Sequence, residues 1–443
     1  MTMKKILIFL AAVTLIAVSC ERTPKNEPVA ATVSLTMGGE AYSAADITVS
    51  LRDLNGSAVY EALTDANGTA AFTVLPGFYE ATASFKVADN GTVYVYNGVN
   101  SNITVVKDDF NAHTLELTQS ESNQIVIKEF YIGGCTYSIT NSDGTTGTKT
   151  FQNDAYVILY NNSDQPADAS SICFAGINPG NSYATNKYLE GGKLVYEAEG
   201  WLPAGQAIWW FDTDVTIAPW SQIVVAIKGA VDHTATYPES VNLSNADYVM
   251  YDPEAGFNSA TVYPAPSASI PQSHYLQTSP YSAGNAWTIS VISPAFVMFR
   301  HDNPEALSQD TANYDYISGA KFPCVKVGID SVVDGIEVFA IGQGDKNNKR
   351  LTSTVDAGYV YFSNKLGYTL YRNVDQEATE AIEGNKEKLV YSYAGGTEAL
   401  ENGSTDPSGI DAEASIKNGA VIVYQDTNNS SKDFHQRKVA SLK

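Results

Sequence analysis

Hydrophobic and polar residues alternate along several short segments in the amino-terminal quarter of the chain. The alternation is clear in residues 33–37 and 79–85, and turn-forming pairs such as Asn67-Gly68 separate these segments. A period of two residues sends alternate side chains to a core and to solvent, which is typical of half-buried antiparallel strands. We predict about seven short strands over residues 31–118, arranged as a β-sandwich.

The remainder of the chain, residues 123–443, contains further apolar segments of strand length. Examples are 125–130, 155–160 and 223–227, each followed by polar or turn-forming residues. Short apolar runs bounded by such residues favour strands over helices. We therefore predict an all-β protein, with a second and larger β-sandwich after a linker near residue 120.

The first twenty residues carry a targeting signal. Lys4 and Lys5 precede an apolar run of thirteen residues, 6–18, which only Thr14 interrupts. A membrane-spanning helix needs about twenty apolar residues, whereas the apolar region of a secretory signal peptide is shorter. We predict that residues 1–19 are a signal peptide.

The apolar run ends in Ala-Val-Ser-Cys at residues 17–20, and polar residues follow at once. This segment resembles a bacterial lipobox, which implies cleavage before Cys20 and attachment of lipid to its thiol. Several acyl chains give stable anchoring to a bilayer, whereas a single chain gives marginal binding. We expect residues 20–30 to be a tether and the protein to lie at the outer membrane, facing the periplasm or the cell surface. The alternative is an ordinary signal peptide with an incidental cysteine.

Residues 64–72 and 75–79 resemble the hairpin of carboxypeptidase regulatory-like, transthyretin-like modules. The resemblance implies that Asp65 and the following Asn-Gly pair form the turn, and that Phe72 and Tyr79 enter the core. Such modules are usually spacers or docking domains without catalytic residues. A spacer role is therefore implied for residues 31–118.

The order of motifs in residues 123–443 resembles a lamin-tail, immunoglobulin-like domain of exported bacterial proteins. In that reading, residues 253–366 and 373–419 are long insertions. The whole layout also resembles a family of lipoproteins of unknown function from Gram-negative gut anaerobes, which often accompany TonB-dependent outer-membrane receptors. Neither resemblance implies a reaction. The matching motifs are the Ile-rich strand at 125–130, Tyr160-Asn161, Leu-Pro-x-Gly at 202–205, Ile-x-Pro at 217–219, Leu-Ser-Asn at 243–245, and the segments 367–372 and 426–434.

Charge narrows the range of partners. The chain has 49 acidic and 27 basic residues, which gives a formal net charge of -22. Nucleic-acid binding needs clustered basic residues, so we expect no nucleic-acid partner. Three cysteines follow Cys20, and we weigh a Cys135–Cys173 disulfide against three buried free thiols that include Cys324.

Tryptophan is concentrated in one short region, which gives the first candidate binding site. Adjacent side chains on a strand point to opposite faces, so Trp209 and Trp210 cannot both enter the same core. An exposed indole could stack on a sugar or another apolar ligand, and the alternative is ordinary core packing. The candidate residues, four of the five tryptophans, are Trp201, Trp209, Trp210 and Trp220.

The second candidate site is an oxygen-rich segment near the carboxyl terminus, residues 426–433. Its oxygen donors Asp426, Asn428, Ser430 and Asp433 partly mimic a Ca²⁺-binding loop, although a central Gly and a terminal Glu are missing. The alternative is a structural turn whose side chains accept hydrogen bonds from backbone amides. We expect no other cofactor.

No catalytic motif is recognisable in the sequence. The five histidines form no His-Glu-x-x-His pair, and no Gly-x-Ser-x-Gly or phosphate-binding loop is present. We therefore expect a non-enzymatic, membrane-anchored lipoprotein that binds a ligand such as a glycan, or docks on a TonB-dependent receptor as an uptake accessory. The alternatives are a surface adhesin or structural protein that binds host or matrix polymers, and a hydrolase with an unfamiliar site.

Overall fold

The structure is a computed structural model that describes residues 27–89, 92–317, 320–397 and 403–443. Strands dominate these residues and the helices are short, so the all-β prediction is confirmed. The predicted signal peptide, Cys20 and most of the predicted tether lie outside the described residues. Within the described ranges, no helix is long and apolar enough to cross a membrane.

The chain forms two compact units. The first consists of the chain up to Ala83 together with Val99–Leu117, and the second consists of Ser84–Gly98 and Thr118–Lys443. The sequence-based boundary placed all of residues 31–118 in one domain, whereas the structure groups Ser84–Gly98 with the second unit.

The first unit is built on an eight-stranded sheet with the order β2-β1-β8-β7-β6-β3-β4, and β5 pairs with β1. Strands β1 and β8 are parallel, whereas β1 is antiparallel to β5. Strands β6 and β7 continue into the segment that belongs to the second unit. The strands are β1 (Val29–Met37), β2 (Glu40–Ala41), β3 (Thr48–Asp53), β4 (Val59–Leu63), β5 (Thr69–Val74), β6 (Gly77–Asp89), β7 (Thr92–Val105) and β8 (Asn111–Glu121).

Alternation of side chains builds the core of the first unit, as the sequence predicts. Val49 and Leu51 on β3 are fully buried, and the intervening Ser50 is only partly buried. The predicted core residues Phe72 and Tyr79 are also buried, and the Tyr79 hydroxyl donates a hydrogen bond to the Leu75 carbonyl at 2.7 Å. Burying each such aromatic side chain contributes roughly 1.5–3 kcal/mol.

The second unit contains two six-stranded sheets. One has the order β21-β20-β12-β9-β28-β29, and the other has the order β22-β18-β14-β23-β26-β27. The helices of this unit are short and lie between the strands. The strands are β9 (Ile125–Tyr131), β10 (Cys135–Thr140), β11 (Thr146–Phe151), β12 (Tyr156–Asn161), β13 (Ala167–Asp168), β14 (Ile172–Gly176), β15 (Leu189–Glu190), β16 (Lys193–Leu194), β17 (Trp201–Gly205), β18 (Ala207–Trp210), β19 (Thr216–Ile217), β20 (Gln222–Ala226), β21 (Tyr248–Val249), β22 (Gln277–Pro280), β23 (Ala295–Arg300), β24 (Tyr314–Asp315), β25 (Cys324–Gly328), β26 (Val332–Ala340), β27 (Val360–Phe362), β28 (Thr369–Arg372) and β29 (Phe434–Arg437); the α-helices are α1 (Pro304–Gln309), α2 (Gln376–Ala381), α3 (Ala412–Lys417) and α4 (Ser430–Asp433), and the 3-10 turns are Gln272–His274, Thr311–Asn313, Ile329–Ser331, Gly344–Lys346 and Lys386–Lys388.

The two sheets share an apolar core, as a β-sandwich requires. The rings of Phe130 on β9 and Phe296 on β23 stack with their centroids 4.7 Å apart. Both side chains are fully buried, and one contiguous cluster of buried residues draws on strands of both sheets. Face-to-face packing of this kind buries alternate residues of each strand and excludes water between the sheets.

The predicted insertion at 253–366 is an integral part of this sandwich. Its strands β22, β23, β26 and β27 supply four of the six strands of the second sheet. Strand β23 pairs with β14, and β22 pairs with β18. The sequence could not show this, because sheet partners that are about 70–130 residues apart leave no local pattern.

The three described cysteines are free and buried. The Cys135–Cys173 disulfide that we considered from sequence is not formed. Burial raises the pKa of the Cys135 thiol to about 11 and that of Cys173 to about 12. Both groups therefore stay protonated at neutral pH, and neither has the low pKa of a catalytic thiol.

Candidate functional site

The four candidate tryptophans do not form one surface. Trp201 is buried, and its indole N–H donates a hydrogen bond to a Glu199 carboxylate oxygen at 2.7 Å. Trp220 is half-buried and packs against a different apolar cluster, around Tyr371 and Tyr424. Trp210 borders a cavity.

Trp209 and Trp210 point to opposite faces of the second sheet, as their adjacency on a strand predicts. Trp209 is fully buried in the core between the two sheets, where its ring lies 5.7 Å from that of Phe257. Trp210 packs against the cluster on the other face and remains half-buried. The two tryptophans therefore have different roles: Trp209 fills the core, and Trp210 is available to a ligand.

A cavity of about 420 Å³ opens beside Trp210. Strand pairing creates it, because Trp210 on β18 lies opposite Gln277 on β22, and α1 with the loop before it provides another wall. The volume falls within the usual range for small-molecule sites. The lining residues are Trp210, Asp212, Ala255, Gln277, Thr278, Ser279, Pro280, Asp302, Asn303, Pro304, Glu305 and Gln309.

Hydrogen-bond acceptors dominate the polar lining. Three carboxylates, from Asp212, Asp302 and Glu305, border the cavity, and its described lining contains no Lys or Arg. An anionic ligand would therefore be repelled, whereas a ligand rich in hydroxyl donors or a cation would be favoured. Of all these residues, only Trp210 was predicted from the sequence.

Several polar side chains of this cavity are free to bind. Asp212, Asp302 and Gln277 make no side-chain hydrogen bond to any part of the described chain. Others are already engaged within the protein: the Thr278 hydroxyl donates to the Ile208 carbonyl at 2.8 Å, and Glu305 accepts from Gln309 at 3.0 Å. The free groups come from three separate segments, so only the tertiary structure brings them together.

Two of the four candidate Ca²⁺ residues lie beside a buried arginine. Asp426 and Asp433 lie 3.4 Å and 3.8 Å from the guanidinium of Arg372, which is fully buried. Both carboxylates also accept hydrogen bonds from the protein. Asp433 accepts from the Thr427 and Asn429 amides through the oxygen that faces Arg372, and from the Thr427 hydroxyl through its other oxygen. Asp426 accepts from Ser122 and Asn123 through the oxygen that does not face Arg372.

The other two residues of that loop make hydrogen bonds to a different segment, residues 356–357. The Ser430 hydroxyl and amide both donate to the Asp356 carboxylate, and the Asn428 carbonyl accepts from the Ala357 amide at 2.7 Å. In the parts of the chain that the structure describes, no cluster of three or more His, Cys, Asp or Glu side chains could hold a metal ion. This geometry favours the structural turn, with Arg372 as the positive charge that the aspartates face.

Two of the histidines serve the fold. His301 accepts a hydrogen bond from the Asn303 amide at 3.0 Å, which orients the loop before α1. His435 is fully buried between Tyr393 and Asn373, and burial lowers the pKa of its imidazole to about 3. A neutral histidine of this kind stabilises the core and carries no positive charge at neutral pH.

Comparisons with known proteins identify related sequences without an assigned activity. A family model described as "Protein of unknown function (DUF4876)" matches residues 218–389. The fold is similar to the crystal structure of a DUF4876 family protein from Bacteroides thetaiotaomicron VPI-5482, with a TM-score of 0.50 and 21% sequence identity over 93% of this chain and 96% of that chain. At this identity, the likeness shows the fold alone. No curated protein sequence matches the chain.

Proposed function

We propose that the protein is a membrane-anchored, non-enzymatic binding protein whose cavity beside Trp210 holds a neutral carbohydrate. The observation that carries the proposal is the half-buried indole at the edge of a cavity whose free polar groups are mainly acceptors. The apolar face of a sugar ring packs well on an indole, and sugar hydroxyls donate hydrogen bonds to carboxylate and amide oxygens.

Anchoring is the second part of the proposal. The lipobox-like segment at residues 17–20 supports lipid attachment at Cys20, and the absence of another long apolar segment in the sequence leaves this residue as the proposed link to the outer membrane. A protein held there, facing the periplasm or the surface, would concentrate its ligand near the membrane.

The binding test is a panel of neutral oligosaccharides, with sialylated and sulfated sugars as anionic probes and tetramethylammonium as a cationic probe. Isothermal titration should detect binding of neutral sugars alone. We expect Trp210→Ala and Asp302→Asn each to weaken that binding at least about tenfold, which corresponds to about 1.4 kcal/mol.

Two matched controls separate binding from folding. Trp220→Ala removes another half-buried indole, and Asp164→Asn removes another exposed carboxylate; neither residue lines the cavity. Both variants should keep wild-type affinity. Selective binding of tetramethylammonium, or equal affinity in wild type and Trp210→Ala, would contradict the carbohydrate proposal.

A role as an accessory to a TonB-dependent receptor places this binding in an uptake system. It rests on the resemblance of the layout to lipoproteins that accompany such receptors. Pull-down of the native protein in mild detergent should recover a β-barrel receptor in stoichiometric amount. Recovery of the protein alone, together with binding to host or matrix polymers, would instead favour the adhesin alternative.

A further inference from the structure

Exposed apolar side chains gather at one end of the first unit. In the described part of this unit, six of the eight exposed large apolar residues lie in or beside the β3–β4, β5–β6 and β7–β8 turns. Phe110 is 88% exposed and Phe78 is 56% exposed, which is unusual for phenylalanine. We call this set the apolar end; it consists of Leu54, Val59, Leu75, Phe78, Val106 and Phe110.

Strand register places these turns side by side. Asp53 at the end of β3 pairs with Tyr79 near the start of β6, and Val74 at the end of β5 pairs with Val29 at the start of β1. The amide of Leu54 also donates a hydrogen bond to the Phe78 carbonyl at 2.9 Å.

The turns at the other end of the same strands have a different composition. The β1–β2 turn is Gly38-Gly39, and the β4–β5 turn spans residues 64–68, Thr-Asp-Ala-Asn-Gly. Neither turn contains a large apolar residue, although Leu63, the last residue of β4, is exposed beside the second turn. The two ends of the unit therefore differ in polarity, as expected if only one of them meets an apolar phase.

The polypeptide enters the unit at the apolar end. Strand β1 begins there at Val29, and Ala31 pairs with Asn111 at the start of β8. The Glu27 carboxylate lies 3.7 Å from the Lys107 ammonium in the β7–β8 turn. Cys20 is seven residues before Glu27, and a chain of that length spans at most about 25 Å.

We infer that the apolar end inserts into the lipid bilayer to which Cys20 is attached. This inference rests on the proposed lipid anchor, because the anchor and the apolar end would lie within one short tether of each other. Aromatic and aliphatic side chains at loop tips gain free energy when they leave water for the acyl boundary. The end would therefore fix the first unit against the membrane surface.

The charges beside the apolar end determine which lipid it favours. Asp108 and Asp109 lie between Lys107 and Phe110 in the same turn. Anionic lipid would repel these carboxylates, so the contact is apolar and the favoured surface is zwitterionic. Binding should therefore not weaken as salt is raised.

The test uses the whole chain from residue 21, which contains every described residue and lacks the lipidated cysteine. Sedimentation with vesicles of phosphatidylethanolamine and phosphatidylcholine should show measurable partition, and 0.5 M NaCl should not reduce it. The double variant Phe78→Ser/Phe110→Ser should lower the partition coefficient at least about tenfold. The control Leu63→Ser/Val99→Ser changes two other exposed apolar residues of the unit and should partition like wild type.

The outcomes separate this inference from the proposed anchor. Lipid attachment is measured independently, by labelling cells with a tagged fatty acid and comparing wild type with Cys20→Ser. Labelling at Cys20 without vesicle binding would overturn the inference alone, and vesicle binding without labelling would overturn the anchor alone. An equal loss of vesicle partition in both double variants would also overturn the inference. So would a concentration-dependent dimer, measured by sedimentation velocity, that Phe78→Ser/Phe110→Ser abolishes.

Discussion

Arg372 is the residue on which the deepest polar cluster of the second unit depends. Its fully buried guanidinium donates to Asp334 and lies beside Asp426 and Asp433. It also donates to the Ile127 carbonyl at 2.6 Å. One positive charge among three carboxylates leaves an excess of negative charge in a region without solvent. Burial therefore raises the pKa of Asp334 and of Asp433, although the neighbouring Arg372 lowers both pKa values in part.

These pKa shifts determine how the stability of the fold depends on pH. The folded pKa of each carboxyl lies above its ordinary value of 3.8, so the folded chain holds more protons than the unfolded chain between those two values. Their contribution to stability is therefore complete below about pH 3.8 and is lost as the pH rises through the raised pKa. The lowered pKa of His435 acts in the opposite direction, so its stabilisation is lost as the pH falls from about 6.5 towards 3.

Arg372→Met should destabilise the protein by about 3–5 kcal/mol at pH 7.5, because it leaves buried carboxylates without a partner. At pH 5 the loss should be at least about 1 kcal/mol smaller, because the carboxyls take up protons more readily once the arginine is absent. Urea unfolding of wild type and variant at both pH values measures the difference in their free energies of unfolding. The His435 contribution largely cancels in this difference, because both proteins contain that residue. An equal loss at the two pH values would show that the cluster does not titrate as described.

At the scale of elements, the β4–β5 turn shows how a few residues determine a hairpin. One carboxylate oxygen of Asp65 accepts hydrogen bonds from the amides of Asn67 and Thr69, at 2.9 Å and 3.0 Å. These backbone bonds lower the pKa of Asp65, Thr69 providing the largest effect. Gly68 completes the turn with a φ of +75°, in the left-handed region.

Gly68→Ala should destabilise the first unit by several kcal/mol, because a Cβ there would lie 2.0 Å from the Tyr42 carbonyl oxygen in addition to the strain of a positive φ. Gly39→Ala is the matched control: its φ is +82°, but no atom lies within 4 Å of the added carbon. We expect the control to cost only about 1–2 kcal/mol. Hydrogen exchange of β1 and β5 measures both variants, and similar loss of protection in the two would contradict the steric argument.

The binding cavity is also a property of paired elements. Strands β18 and β22 are about 70 residues apart in the sequence, yet their register places Trp210 opposite Gln277. The helix α1 and its preceding loop then bring Asp302 and Glu305 to the same cavity. A change in this register by one residue would turn Trp210 into the core, because side chains alternate between faces.

At the scale of the whole molecule, the second unit is held by its apolar cores without a disulfide. Cys173 belongs to an apolar cluster on one face of the second sheet, and Cys324 accepts a hydrogen bond from the Asn178 amide group at 3.1 Å. Cys135 is fully buried at the start of β10. Each thiol thus contributes as a small apolar side chain.

In the chain from residue 21, Ellman's reagent should therefore detect three thiols after denaturation and almost none in the native protein. A reducing agent should leave the melting temperature unchanged, because no disulfide constrains the unfolded chain. Detection of one thiol under non-reducing denaturing conditions would show that two of the cysteines are paired. Denaturation in the presence of excess iodoacetamide, which traps each thiol as it becomes exposed, serves as the control for oxidation during the assay.

Local pattern was enough for several features of this protein. Alternation predicted the strands of the first unit, the Asp-x-Asn-Gly segment predicted the β4–β5 turn, and adjacency on a strand placed Trp209 and Trp210 on opposite faces. These features depend on neighbours within a few residues, where backbone geometry alone decides direction. The signal peptide and the lipid at Cys20 are also sequence-based, and they remain predictions.

Only the tertiary structure decided which distant segments meet. It placed four strands of residues 253–366 in the second sheet and left the three cysteines unpaired. It also placed Arg372 beside two of the candidate calcium ligands, and brought Asp212, Gln277 and Asp302 to the cavity of Trp210. Each of these outcomes depends on pairing between strands that are far apart in the chain. Composition and periodicity indicate which residues are buried, but many strand pairings would bury the same residues. The packing of the whole sandwich determines which strands pair.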